Sequence, residues 1–171
     1  MKKLLILGAG GYGRTVADLA RQLNVYDKIG FLDDRKTGAE ILGTCDEYAM
    51  FCDENTEVYP AFGNNEIRKK WLEKLIWEDI PIPTLVHPTA YISPSSVLGI
   101  GTVVLPKAVV NTGCVTEAGC ILNIGVLIDH DCILEEYAHL CPGVIVKAEN
   151  RIPSGIKLEA GSIILNGTYP L

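Results

Sequence analysis

No stretch of this 171-residue chain is apolar for the roughly 18 residues that a membrane-crossing helix requires, so no bilayer insertion is expected. A basic excess is missing too. Fifteen Lys and Arg stand against 21 Asp and Glu, a net charge of −6, which disfavours nucleic acid or an anionic membrane as the main partner. Anionic ligands stay open, because a local helix N-terminus binds phosphate even on an acidic protein. The six cysteines form no Cys-x-x-Cys pair and no zinc-ligand spacing, which argues against a metal and for a reducing, cytoplasmic compartment. The opening Met1-Lys2-Lys3-Leu4-Leu5-Ile6-Leu7 faintly mimics a signal peptide. Its apolar run is too short and passes straight into a glycine loop, so it reads as a first strand. An apolar content of 48% supplies a core for one or two domains.

What is present in abundance is a period of six. From Val86 to Ile164 every sixth residue is aliphatic, through Ile92, Leu98, Val104 and onward, with Thr116 the single exception. Six fits neither a helix of period 3.6 nor an isolated strand of period two. It fits a chain wound into triangular coils, each flat side using six residues and pointing one large aliphatic inward. Two residues before the aliphatic stands mostly a small one, as at Ala90, Ser96, Thr102, Ala108, Cys114, Cys120 and Cys132, and glycine recurs one residue earlier still. The pattern predicts a left-handed parallel β-helix of hexapeptide repeats, about four and a half coils of ~18 residues. This solenoid is heavily used by acyltransferases that draw on acetyl-CoA.

Cys114, Cys120 and Cys132 thus act as compact hydrophobes. Cys141, beside His139, shows no legible thiolate-stabilising setting and reads as a bystander rather than a nucleophile. The residue before each inward aliphatic should face outward. Val97, Val103, Val109, Val115, Ile121, Leu127 and Ile133 would then form an apolar row that neighbouring subunits cover, which points to a homotrimer.

Pro81 and Pro83 separate residues 1–82 from the coil at 83–171. The first part alternates strand and helix: Lys3 to Leu7, a helix over 12 to 23, strands at Lys28 to Leu32 and Glu57 to Phe62, and an amphipathic helix from Glu66 to Glu78. In the last, Ile67, Trp71 and Leu75 should face inward, Arg68, Lys69 and Lys70 should be solvated, and Asn64 or Asn65 should cap the start. This is an α/β, Rossmann-like half-domain. Its first loop, Gly8-Ala9-Gly10-Gly11-Tyr12-Gly13, has the spacing that lets a backbone approach a diphosphate at a helix N-terminus. Asp33, at the end of the second strand, sits where a carboxylate accepts ribose hydroxyls. A turn serving packing alone is the competing reading. Half a dinucleotide fold suits a mononucleotide diphosphate better than a dehydrogenase cofactor.

Within the coil, Asn123, His130 and His139 interrupt repetitive material. His130 falls at a turn between Asp129 and Asp131; a carboxylate on one ring nitrogen raises the basicity of the other. A solvated turn histidine accounts for the spacing equally well. His87, before Pro88, reads as structural.

Together these stretches resemble the NeuD/PglD-like sugar acyltransferases over nearly the whole chain. The resemblance rests on Leu5 to Gly13, Gly30-Phe31-Leu32-Asp33-Asp34, Phe62-Gly63-Asn64-Asn65-Glu66-Ile67-Arg68, His87-Pro88-Thr89-Ala90, Leu122-Asn123, Asp129-His130-Asp131-Cys132, and His139 with Pro142-Gly143. It implies a UDP-sugar on the N-terminal domain, held by Gly10, Gly11, Tyr12, Gly13, Asp33, Asp34, Gly63, Asn64 and Asn65. It further implies acetyl-CoA along the coil between subunits of a trimer, contacted by Asn123, His139 and Gly143, with His130 as general base steadied by Asp129 or Asp131. The branch it looks most like N-acetylates UDP-linked 4-amino-4,6-dideoxy sugars. O-acetylation of sialic acid or a related sugar, and a non-catalytic homologue that lost the CoA site, are the alternatives. Two departures stand out. Tyr12 replaces a histidine often found in the family's loop. The charged Lys147 to Gly155 segment, with a solenoid ending near Leu165, predicts a shortened CoA platform.

Overall fold

Four parallel strands organise the first part of the chain. In the computed structural model, which describes residues 1–171, two compact units appear, Met1–Pro83 and Thr84–Leu171. The first runs β1 (Lys3–Leu7), α1 (Gly11–Leu23), β2 (Lys28–Leu32), β3 (Ile41–Gly43), a 3₁₀ helix (Cys45–Phe51), β4 (Thr56–Pro60) and α2 (Asn65–Trp77). The sheet order is β3-β2-β1-β4. β1 is buried from Leu4 to Leu7, which explains its unbroken apolar run, because a central parallel strand is covered on both faces. The chain leaves β1 for β2 on one side and returns to β4 on the other. The loops after β1 and β4 therefore meet at the reversal of strand order, where open α/β sheets bind ligands.

β3 and the 3₁₀ helix escaped the sequence pattern, being too short to show a period. A capping box holds the helix, with Glu47 Oε2 accepting the Thr44 N–H at 2.7 Å. α2 corrects the sequence reading more sharply. Its inward face is Arg68, Leu72 and Leu75, while Ile67 is exposed. Both sets have helical spacing, so periodicity could not choose between them, and the charge of Arg68 pointed the wrong way. Arg68 is fully buried because the fold supplies acceptors: Nη1 donates to the Phe62 carbonyl (3.0 Å) and Nη2 to Asn65 Oδ1 (2.9 Å). Trp71 is half-buried, its ring stacked on Phe62 and edge-on to Tyr48.

The second unit is a left-handed parallel β-helix with three faces. Face one carries Leu85–Val86, Val103–Val104, Ile121–Leu122, His139–Leu140 and Lys157–Leu158; face two carries Tyr91–Ile92, Val109–Val110, Leu127–Ile128, Ile145–Val146 and Ile163–Ile164. Face three carries Val97–Leu98, Val115–Thr116, Ile133–Leu134 and Arg151–Ile152. Stacked residues are 18 apart. The inward aliphatics from Val104 to Ile152 are buried, each worth about 1.5–3 kcal/mol of transfer. Thr116 is tolerated in that column because its Oγ1 donates to the Val97 carbonyl at 3.2 Å. Cys114, Cys120 and Cys132 are buried, unbridged, and donate to carbonyls in the next coil. Asn150 takes the same small slot and stays satisfied, its amide donating to the Lys147 and Leu165 carbonyls and its Oδ1 accepting from the Tyr169 N–H.

The expected outward row is not one surface. Consecutive hexapeptides lie on successive faces, so Val97, Val115 and Ile133 share face three, Val109 and Leu127 face two, and Val103 and Ile121 face one. Val103 and Ile121 are fully buried, whereas Val97 (59%) and Leu127 (41%) are exposed. His139, expected to face outward in that row at a seam between subunits, is already buried within the single chain on face one.

Candidate functional site

The glycines of the first loop divide by what a side chain would meet. At Gly13 a Cβ would sit 1.9 Å from the Gly8 carbonyl oxygen, so glycine there is required for α1 to pack against the loop. Gly8 has φ +97, and a Cβ on it would crowd the Ala61 carbonyl and the Phe62 ring at 3.2 Å. Gly10, Gly11 and Gly63 are different: nothing lies within 4 Å of a Cβ on any of them. Packing does not demand glycine there, and a ligand approaching the backbone would. Gly10 caps α1 without a side-chain hydrogen bond, leaving first-turn N–H groups available to an anion.

The acidic and amide residues near this loop are mostly occupied by the protein itself. Asp33 Oδ2 accepts the Ala9 N–H (2.7 Å), and Oδ1 accepts from the Arg35 (2.9 Å) and Lys36 (2.8 Å) N–H groups. Burial pushes the Asp33 carboxyl up, but those three donors and the Lys36 charge outweigh it and leave it below its ordinary value. Asp34 Oδ1 accepts the Cys45 N–H at 2.8 Å. Asn64 Oδ1 caps α2 through the Ile67 N–H at 3.0 Å, and Asn65 holds Arg68. The Tyr12 hydroxyl is 2.8 Å from that of Tyr59; burial first, then Tyr59, push its phenol well up, so it is neutral. Sequence reading missed the cations. Lys36 Nζ donates to the Ala9 carbonyl at 2.7 Å, and Arg14 Nη1 reaches it at 3.4 Å. They border a cleft of about 320 Å³ with Thr37 and Gly38. A larger cleft of about 600 Å³ opens beside Lys3, Lys28 and Thr56, at the starts of the strands and away from the glycine loop.

On the coil the candidate residues fall on different edges. Asn123 and Gly143 occupy the edge between faces one and two, in successive coils, with the Gly143 N–H donating to the Ile124 carbonyl at 2.9 Å. His139 lies on face one, between Ile121 and Lys157 in the ladder. His130 lies on the edge between faces two and three, exposed, with Nδ1 2.8 Å from Asp131 Oδ2. A carboxylate only accepts, so Nδ1 carries the hydrogen and Nε2 keeps its lone pair. Asp129 Oδ1 accepts the His130 N–H (2.9 Å) and the Asn111 amide (3.3 Å). The Asp131 contact raises the His130 pKa most; desolvation opposes it, and Asp129 and Glu149 add to the rise. Cys141 is buried, and that burial pushes its thiol up, away from a nucleophile. His87 is buried and bonded to Thr89 at 2.9 Å.

The PglD N-terminal domain family matches residues 3–75. The acetyltransferase domain of PglB from Neisseria gonorrhoeae FA1090 superposes with a TM-score of 0.92 at 37% identity, covering 95% of this chain and 82% of that one. This chain belongs to the PglD/NeuD-like family. The same gonococcal domain is also known in complex with acetyl coenzyme A. A second relative of the PglD/NeuD-like chain is the UDP-N-acetylbacillosamine N-acetyltransferase of Bacillus subtilis (strain 168), 33% identical over 114 residues. That alignment takes in 61% of this chain and 52% of the relative, about half its length. PerB from Caulobacter crescentus, solved with CoA and GDP-perosamine, shares the fold at 19% identity, with a TM-score of 0.62 over 96% of this chain and 92% of that one.

Proposed function

We propose that this chain transfers an acetyl group from acetyl-CoA to the amine of a UDP-linked 4-amino-4,6-dideoxy sugar, with His130 as general base. The observation that carries the reading is the 2.8 Å contact from His130 Nδ1 to Asp131, which leaves Nε2 as a basic lone pair at an exposed edge. The activity of the Bacillus subtilis relative and the acetyl-CoA complex of the gonococcal domain support the substrate classes. The amine nitrogen attacks the thioester carbonyl carbon as Nε2 takes its proton. The tetrahedral intermediate then expels CoA thiolate, which recovers a proton from His130. A donor such as the Asn123 amide would hold the developing oxyanion.

The sugar nucleotide would place its diphosphate against Gly10, Gly11 and Gly63, where a Cβ would meet no protein atom, with Lys36 and Arg14 as cations nearby. Asp33, Asp34, Asn64 and Asn65 would shape that cradle through the backbone they hold. Tyr12 would offer its ring rather than its hydroxyl, and Gly13 serves packing. Because His130 lies on a different edge from Asn123 and Gly143, and His139 lies on face one, the reaction site would be completed by another copy of the chain. Exposed Val97 and Val115 on face three and Tyr91, Leu127 and Ile163 on face two flank His130 and suit that contact, as a homotrimer provides. Purified protein should release CoA only when acetyl-CoA and a UDP-4-amino sugar are both present. His130→Ala should slow this by about 10²–10⁴ with little change in substrate affinity. Undiminished transfer by that variant would refute the role of His130.

A further inference from the structure

Gly113 stands one coil below Asp131, 18 residues earlier, and both have left-handed backbone, with φ +71 and +57. A Cβ on Gly113 would lie 2.4 Å from Asp131 Oδ1 and 3.5 Å from its Cγ. The other oxygen of that carboxylate, Oδ2, accepts the hydrogen from His130 Nδ1. The Asp131 carboxylate therefore fills the space a side chain at 113 would take, with one oxygen over the glycine and one on the histidine.

We propose that Gly113 is a positioning residue for the acetyl-transfer site: its missing side chain gives the Asp131 carboxylate room to lie against His130. This rests on the reading of His130 as the base. Backbone conformation alone does not account for glycine at 113. The same left-handed edge position is held by Lys107, Tyr137 and Glu149, with φ +63, +61 and +59. At Gly125, Gly143, Gly155 and Gly161 a Cβ would meet nothing within 4 Å. Gly113 differs by its contact. Its backbone is also pinned, since its N–H donates to Ser95 Oγ at 3.1 Å and the Asp131 N–H donates to the Thr112 carbonyl at 2.9 Å. A side chain at 113 would push out the flexible carboxylate and leave the coils in place. His130 Nδ1 would then face water, free to exchange its hydrogen with Nε2, while Asp129 and Glu149 remain nearby and Lys147 stays beside Asp129.

The test is an NMR titration of the His130 ring in the full chain without substrates. It compares wild type, Gly113→Ala, Asp131→Asn, the double variant, and Gly155→Ala as a control with equal backbone strain. Gly113→Ala should lower the midpoint toward that of Asp131→Asn, the double variant should match Asp131→Asn, and Gly155→Ala should match wild type. Gly113→Ala should also reduce kcat about tenfold, short of losing the base itself, with KM unchanged. An unmoved midpoint in Gly113→Ala, or a further fall in the double variant beyond Asp131→Asn, overturns the proposal. Should Gly113→Ala not fold, Gly113→Asn brings the same Cβ in a residue that tolerates left-handed backbone, and the same outcomes apply. If His130→Ala retains activity, the catalytic reading fails while the titration still decides whether Gly113 places the carboxylate.

Discussion

Asn123 and His130 occupy successive edges of one coil, separated by the whole of the Leu127–Ile128 side. In the proposed reaction, different copies would supply them to one reacting centre.

That arrangement predicts complementation. His130→Ala and Asn123→Ala should each be weakly active alone. Refolded together at equal ratio, they should recover activity at about a quarter of the sites, the fraction in a closed ring where one neighbour supplies His130 and the other Asn123. Activity no greater than the sum of the two separate variants would show that one chain holds the entire site. Leu127→Asp should meanwhile reduce the mass measured by light scattering to that of a single chain while its circular dichroism is retained.

The pH profile follows from His130. As the proposed base, His130 would have to be neutral to act, and the Asp131 contact raises its pKa above the ordinary imidazole value of about 6.5. kcat/KM should therefore climb with pH through a midpoint higher than that. Asp131→Asn should move the rising limb to lower pH and lower its plateau. A limb that stays put would mean another group sets it.

The two kinds of loop glycine should part in mutagenesis. Gly13→Ala forces a Cβ against the Gly8 carbonyl and should cost about 1–3 kcal/mol in urea unfolding, as overpacking does. Gly11→Val should leave stability within about 0.5 kcal/mol, as at an open surface position, and abolish UDP-sugar binding by calorimetry. Equal affinity in Gly11→Val and wild type would remove the diphosphate from this loop.

Arg68→Leu should destabilise the N-terminal unit by about 1–3 kcal/mol, since the Phe62 carbonyl loses its buried donor. A variant as stable as wild type in urea would show that another donor or water replaces it.

The period of six made the coil legible, because its inward column depends on size and apolarity, which sequence displays directly. The strand–glycine–helix order did the same for the first unit. What stayed hidden depends on distance between residues far apart in the chain. Arg68 reads as a solvent charge until the Phe62 carbonyl is found beside it. Gly10 and Gly13 look alike in the motif, and only the position of the Gly8 oxygen separates them. The outward aliphatics gave the right residue type in the wrong arrangement, since a linear list does not reveal that neighbours in the series point 120° apart on a three-sided prism. Asp131 did carry a signal: in the series of six it replaces the glycine found at 101, 113, 119, 125, 143, 155 and 161.

The 18-residue step makes this coil a text to be read down its columns. Ser95, Gly113, Asp131 and Glu149 follow one another along a single edge, although 17 residues lie between each pair in the chain. Substitutions here should be coupled at that interval, so a longer acid at 131 or a side chain at 113 becomes acceptable only when the other changes with it. An insertion of six residues between Gly113 and His130 would turn every later column by one face and separate the two, whereas an insertion of 18 below Gly113 would add a storey and leave the pairs above it intact.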